Sequence, residues 1–214
     1  MNGMKQGSDM LLSIDTSSAY GIVTLGSLDG RQLYVRTHDT AHQHSKVLLP
    51  FIQSLLTEAN LSLSGLSGIS VVLGPGSFVG VRLAVSVAQG LAYPLKKLIW
   101  PVSGLQVVAQ GALLEGPERP QPSSPFRIVV SRNAHMGDCY YGEYQENERG
   151  IMEAARPDFI QRIDKKIEIP DQLPSPRALH QVATDAFQHQ KGVAPESLSM
   201  NYLQGNALWK QRIN

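Results

Sequence analysis

The sequence predicts an α/β protein with a larger N-terminal lobe and a smaller second lobe. Three observations point there: three short strand-like runs in succession, a buried strand run that passes through a glycine turn into an apolar helix, and a change of charge along the chain. Between Thr40 and Leu95 only Lys46, Glu58 and Arg82 are charged, whereas the segment after Leu95 mixes both signs throughout.

The runs at residues 10–15 (MLLSID), 20–25 (YGIVTL) and 31–36 (RQLYVR) are apolar or alternating and are separated by Ser, Gly and Asp, the pattern of consecutive antiparallel strands. Leu48, Phe51, Ile52, Leu55, Leu56 and Ala59 then recur at helical spacing, which predicts a helix over 45–60 with Ser45 as N-cap and Pro50 in its first turns. Residues 69–73 read as a buried strand, followed by Gly-Pro-Gly-Ser and a helix over 78–93 ended by Pro94. Strand, glycine turn and helix together imply a parallel crossover. Residues 98–102 add a strand, and Ser103 caps a helix through Leu105, Val108, Ala109 and Leu113. The prolines 117, 120, 122 and 125 mark a loop. Residues 126–130 and 139–144 form a hairpin around the polar turn NAHMGD, and 177–190 form a helix capped by Ser175 with Pro176 at its first position.

Composition narrows the function. With 214 residues, 42% apolar and 17% charged, against roughly 25% charged in an average globular protein, the chain is folded rather than disordered. A net charge of +1 offers no electrostatic footprint for gripping nucleic acid unaided. The single Cys139 allows no intramolecular disulfide and the opening nine residues lack an apolar signal region, so a cytoplasmic location is expected. The apolar run 79–95 is too short to span a bilayer and contains Arg82 and Gln89, so no membrane association is expected.

Two segments offer chemistry. The turn Gly74, Pro75, Gly76, Ser77 stands where backbone amides and a helix dipole hold an anion. It is not a Walker loop, because Val81 follows Gly80 where Lys is required, and its glycines miss the dinucleotide spacing by one. A nucleotide-proximal turn and a purely conformational one both remain open. Asp15 and Thr16, followed by Ser17 and Ser18, place a carboxylate and hydroxyls at a strand end, for magnesium or phosphate contact or simply for the turn's own backbone. His38, His42 and His44 with Asp39 are the densest potential ligands, but they fall in a loop and lack two imidazoles on one helical face, so no metal site is assigned. Cys139 reads as a half-buried strand residue, and no catalytic residue is assigned.

The helix after the glycine turn leaves little polar face, since Val79, Val81, Leu83, Val85, Val87 and Leu91 surround it. Gly80, Ala84, Ala88 and Ala92 form a small-residue stripe that admits another helix backbone. Intrachain packing takes part of that surface. With the charge-poor helix before it, the remainder forms a patch for another chain. The candidate interface residues are His44, Leu48, Phe51, Ile52 and Leu55 on the first helix, and Gly80, Arg82, Ala84, Val85, Ala88 and Gln89 on the second. Ala88→Glu or Leu55→Lys is expected to abolish the pairing.

The ordered set LLSIDTSS, HSKVLLPFIQSLL, GPGSFVGVRLAVSVAQGLA, NAHMGDCYYGEYQ and NYLQGNALWK resembles the bacterial TsaB (YeaZ) family. The resemblance covers residues 10–144, most specifically through GPGSFVGVR and AQGLA, and continues mainly through Tyr202 and Leu203. Departures are Val79 where the family commonly has Thr, and Asn133 and His135 where it tends to carry Asp and Arg. The resemblance implies an actin-like ATPase fold (ASKHA, ribonuclease-H-like) in two lobes, 10–103 carrying the partner-binding helices and 104–214 forming a reduced, degenerate second lobe with a C-terminal tail.

It further implies a non-catalytic scaffold or activator that dimerises with the transferase TsaD, and joins the ATPase TsaE, for N6-threonylcarbamoyladenosine formation at tRNA position 37. Contact with tRNA would run through the complex, and the chain alone would form a homodimer. No cofactor is required by this chain, and ATP or ADP and metal belong to the complex. TsaD-like proteins carry two metal-binding histidines four apart where this chain has Gly104 and Val108, and they hold ATP with glycine pairs that this chain lacks. The alternatives are an ATP-binding actin-fold enzyme acting on its own through Asp15 and the 74–77 turn, and, behind it, a metallo-glycoprotease.

Overall fold

A computed structural model describes residues 9–40, 43–116, 125–135, 138–162 and 173–199. The expectations for His42, the prolines 117, 120 and 122, the side chain of His135 and the tail bearing Tyr202 and Leu203 lie outside the described residues.

The three-strand meander is present as β1 (Met10–Asp15), β2 (Gly21–Ser27) and β3 (Leu33–His38). Helix α1 (His44–Glu58), strand β4 (Gly68–Val72), helix α2 (Phe78–Leu95) and strand β5 (Ile99–Val102) follow. They complete a five-stranded sheet ordered β3-β2-β1-β4-β5, antiparallel across β1–β3 and parallel from β1 to β5. The parallel crossovers place α1 and α2 on one face, over a core of Leu12, Ile14, Leu48, Leu55, Val71 and Ala84. Both faces of the central strands are covered, and every residue of β1, β2 and β4 is buried.

Several boundaries differ from the sequence reading for identifiable reasons. α1 begins at His44, with Gln43 rather than Ser45 at the N-cap, because the buried His44 ring donates from Nε2 to the Ser18 carbonyl at 2.9 Å and draws the first turn inward. Pro50 sits in the second turn with its side exposed, beyond the free amides of the first turn, and it removes the amide bond to the Lys46 carbonyl. At the far end Asn60 adopts a left-handed conformation (φ 51°) and Leu61 N bonds to Leu56 O, a Schellman ending. α2 runs past Pro94 to Leu95 and stops at left-handed Lys96, where Lys97 N bonds to Ala92 O in the same way. On length and composition alone α2 is apolar enough to cross a membrane. It instead packs its small-residue stripe on β4 and β1.

Helix α3 (Gly104–Glu115) is capped as expected, Ser103 Oγ accepting from the amides of Leu105 and Gln106. It leads to an antiparallel sheet of β6 (Arg127–His135), β7 (Asp138–Glu146), β8 (Met152–Ala154) and β9 (Phe159–Arg162). The segment read as the polar turn NAHMGD is largely strand: Asn133 pairs with Cys139 and His135 with Asp138, around a bulge. α3 packs on this sheet through Leu105, Val108, Val130, Tyr140 and Met152. Helix α4 (Pro176–His189) starts at Ser175, whose hydroxyl donates to Glu115 Oε1 at 2.6 Å instead of capping. α4 lies on the second face of the five-stranded sheet, against Ile22, Val72, Trp100 and Val102. There the buried His180 ring covers Gly26 so closely that a Cβ would stand 2.4 Å from it, and Nε2 meets the Ser27 carbonyl at 3.1 Å.

Candidate functional site

The two segments that carry chemistry in the sequence meet at the ends of β1 and β4. Asp15 closes β1 with its side chain buried, and its Oδ1 accepts the Ser17 amide at 2.8 Å. The next residue, Thr16, donates from Oγ1 to the Gly80 carbonyl at 2.7 Å. The carbonyl of Ser17 accepts the Ser77 amide at 2.7 Å. The 15–18 loop is thus pressed onto the 74–77 turn and the first turn of α2. Glycine is required twice at this seam, since a Cβ on Gly76 would lie 2.1 Å from Ser17 O and one on Gly80 1.8 Å from Thr16 O. Gly74, at φ 95°, precedes a cis bond to Pro75.

The hydrogen bonds within the seam support the conformational reading of the turn. A phosphate cradle needs open amides at the helix start. Here the Ser77 amide is taken by Ser17 O, and the Gly80 amide by Ser77 Oγ at 3.2 Å. One of these amides is closed by a carbonyl oxygen and the other by a hydroxyl of the chain itself.

A residue that the sequence reading did not single out completes the seam. Arg132, on the inward face of β6, is 4% exposed and donates from Nη1 to Ser17 Oγ at 3.0 Å and to the Pro75 carbonyl at 2.9 Å. Its only sequence signal is its parity with Val130 and Ala134, which face the core. Gly104 leaves the space that the guanidinium fills: a Cβ there would stand 3.2 Å from Arg132 Nη1 and 3.3 Å from Ser17 Oγ. The positions expected to match metal-ligating histidines therefore hold Gly104, backed by an arginine, and the buried Val108. These residues do not fit a metal ion.

Beside the seam, at the C-terminal ends of β4 and β5, a cavity of about 190 Å³ is lined by Leu73, Gly74, Pro75, Ser103, Gln106 and Asp158. Its charged group is acidic. Asp158 accepts from Ser103 Oγ at 2.5 Å and from the Tyr144 hydroxyl at 2.6 Å. Burial, and then the adjacent carboxylate, push the Tyr144 phenol well above the ordinary tyrosine range, so it stays a donor. Asp158 thus stands against the N-cap hydroxyl of α3, and a carboxylate there repels a phosphate.

The interface candidates divide. Leu48, Ile52, Leu55, Gly80, Ala84, Val85 and Ala88 are buried in this chain's own core, as is His44 at its first turn. Phe51 is half-buried. Gln89 is engaged by the segment after α4, donating to the carbonyls of Pro195 at 2.8 Å and Leu198 at 3.4 Å. Arg82 is exposed, its guanidinium 3.5 Å from the Phe78 ring centroid. The outward side of α2 is a different stripe, Val79, Arg82, Ser86, Gly90 and Tyr93, with Val79 74% and Tyr93 68% exposed. On α1, Leu49 is 54% exposed.

Comparison with known proteins adds a lineage. The family model TsaD, tRNA N6-adenosine threonylcarbamoyltransferase, matches residues 35–204. The Escherichia coli tRNA threonylcarbamoyladenosine biosynthesis protein TsaB is 27% identical, over 94% of this chain and 97% of its own length. The protein of the same name from Buchnera aphidicola subsp. Baizongia pistaciae is 34% identical, over 74% and 68%. Among solved structures, a Pseudomonas aeruginosa protein described as similar to the peptidase YEAZ superposes with a TM-score of 0.79 at 27% identity, covering 92% of this chain and 100% of that one.

Proposed function

Since this chain belongs to the TsaB (YeaZ) family and carries a TsaD-like domain, we propose that it is a non-catalytic subunit for N6-threonylcarbamoyladenosine formation at tRNA position 37. It works in the cytoplasm, dimerises with the transferase TsaD and joins TsaE. The TsaD-like match supports an actin-like two-lobe reading divided as 10–103 and 104–214, in which α4 returns from the reduced second segment to cover the first sheet. The observation that carries the reading is the outward stripe of α2, where the exposed Phe78, Val79 and Tyr93 and the small Ser86 and Gly90 leave a helix face open around a single charge, Arg82, which lies against the Phe78 ring. Such a face suits a second helix at close approach.

The closed seam supports a scaffold role. With the Ser77 and Gly80 amides engaged and Gly104 where a ligand side chain would be needed, the chain is read as requiring no cofactor of its own, and ATP or ADP and metal act in the assembled complex. Contact with tRNA runs through that complex. In the absence of TsaD the same stripe pairs two copies of this chain.

Size-exclusion chromatography with light scattering, on the chain alone and mixed with TsaD of the same organism, tests this. A one-to-one complex is expected, lost in Val79→Asp while the melting temperature stays within about 2 °C of wild type, as for a surface change. No complex, with or without ATP and TsaE, would refute the scaffold reading and return attention to nucleotide titration of the isolated chain. Ala88→Glu and Leu55→Lys do not serve, because both positions are 0% exposed and a charge there unfolds the core.

A further inference from the structure

A buried guanidinium is expensive unless its donors are used, and replacing buried charge with apolar groups is often neutral or stabilising. Arg132 uses Nη1 twice, on Ser17 Oγ and Pro75 O, while Nη2 is buried with no hydrogen-bond acceptor. Neither acceptor is charged. The buried Asp15 carboxylate is joined to the same Ser17, its Oδ1 accepting the Ser17 amide, while its Oδ2 has no donor. So incompletely satisfied a charge is a poor source of stability, and its two bonds are better explained by what they hold in place.

What they hold is the start of α2. Pro75 O belongs to the turn that leads into the helix, and the Ser17 carbonyl accepts the amide of its N-cap, Ser77. One residue before Ser17, Thr16 grips Gly80 in the first turn. Phe78 and Val79, 52% and 74% exposed, stand between these anchors and begin the outward stripe. From β6, 57 residues beyond Pro75 and 115 beyond Ser17 in the chain, Arg132 reaches both ends of the clamp.

We propose that Arg132 is a positioning residue for partner binding: it ties the second sheet to the turn that leads into α2 and to the loop that holds its N-cap, and so fixes the pose of Phe78 and Val79 for the transferase. The inference rests on the partner reading above. Arg132 touches no partner itself, and its effect is preorganisation of a surface more than one element away.

The test uses the full chain with TsaD, calorimetric affinity, and amide hydrogen exchange residue by residue. Arg132→Met keeps the apolar stem and removes both bonds. It is expected to weaken TsaD binding about tenfold or more, since an unfixed surface must be ordered on binding. Exchange should accelerate at residues 78–82 while α1 and α4 keep their protection. Arg132→Lys, which keeps the charge and part of the reach, should recover part of the affinity. Ser17→Ala, leaving Arg132 the Pro75 carbonyl alone, should show the same exchange pattern in weaker form, and it decides the matter if Arg132→Met does not fold. Wild-type affinity in folded Arg132→Met, or acceleration spread evenly over all helices, would overturn the proposal. Val79→Asp separates the two readings: if it too leaves TsaD binding intact, the docking surface itself is wrong, whereas if only it weakens binding, the surface stands and Arg132 has no part in it.

Discussion

The contact between Gly80 and Thr16 makes a quantitative prediction for Gly80→Ala. In an ordinary helix interior this change stabilises by about 1 kcal/mol. Here the new methyl would stand 1.8 Å from the Thr16 carbonyl oxygen, against about 3.3 Å for a close carbon–oxygen contact. The 15–18 loop must withdraw by roughly 1.5 Å to restore that spacing. Such a shift breaks the 2.7 Å bonds from Thr16 Oγ1 to Gly80 O and from the Ser77 amide to Ser17 O. Leaving each of these groups unsatisfied costs about 1–3 kcal/mol. After the helix gain is subtracted, the net destabilisation is about 3 kcal/mol. Gly90, in the same helix, is the control, because nothing lies within 4 Å of its added Cβ. Gly90→Ala should stabilise by about 1 kcal/mol, leaving a gap of about 4 kcal/mol between the two variants. Urea unfolding with linear extrapolation measures both. Gly80→Ala within about 0.5 kcal/mol of wild type, or Gly90→Ala equally damaging, would refute the closed seam.

Two further predictions concern buried polar groups. Burial holds the His180 imidazole neutral, with its pKa below the ordinary 6.5 and only partly restored by the Ser27 carbonyl. The unfolded chain therefore binds a proton that the folded chain does not, and stability should fall as pH drops below about 6.5, by at most about 1.4 kcal/mol per unit. His180→Gln should flatten that slope in urea midpoints, and an unchanged slope would exclude His180 as its source. Gln110, fully buried, donates to Gly150 O and Gln181 Oε1 and accepts the Met152 amide at 2.8 Å. Gln110→Leu strands those partners and should destabilise by about 2–4 kcal/mol in the same assay. A loss under about 0.5 kcal/mol would show that they find other partners.

Much of the first sheet was legible because its signals are local. Alternation in β1 to β3, the glycine turn and the apolar run of α2 each declare an element without reference to the rest. The meeting of Asp15 and Thr16 with Gly74 to Ser77 also follows from topology, since β1 and β4 pair in parallel and end together. The orientation of α2 was not legible. A helix apolar on most sides has two small-residue sets, and only packing shows that Gly80, Ala84 and Ala88 turn inward while Ser86 and Gly90 turn out. Strands β8 and β9, three and four residues long, are too short for a periodic signal. Arg132 was not legible because the strand was read only to Val130, and an arginine beside a polar turn reads as solvent-facing. Its burial depends on Gly104 and Ser17, which are distant in sequence.

The seating of α4 has a consequence for biosynthesis. The last strand of the five-stranded sheet ends at Val102, yet the helix that covers that sheet's second face runs to His189. Roughly 90 residues must be translated between them, or about 4–17 s at 5–20 residues per second. For that interval Ile22, Val72 and Trp100 lack the cover that α4 gives them. The nascent chain thus has a window in which a chaperone, or a second ribosome's product, competes with α4 for the same apolar face.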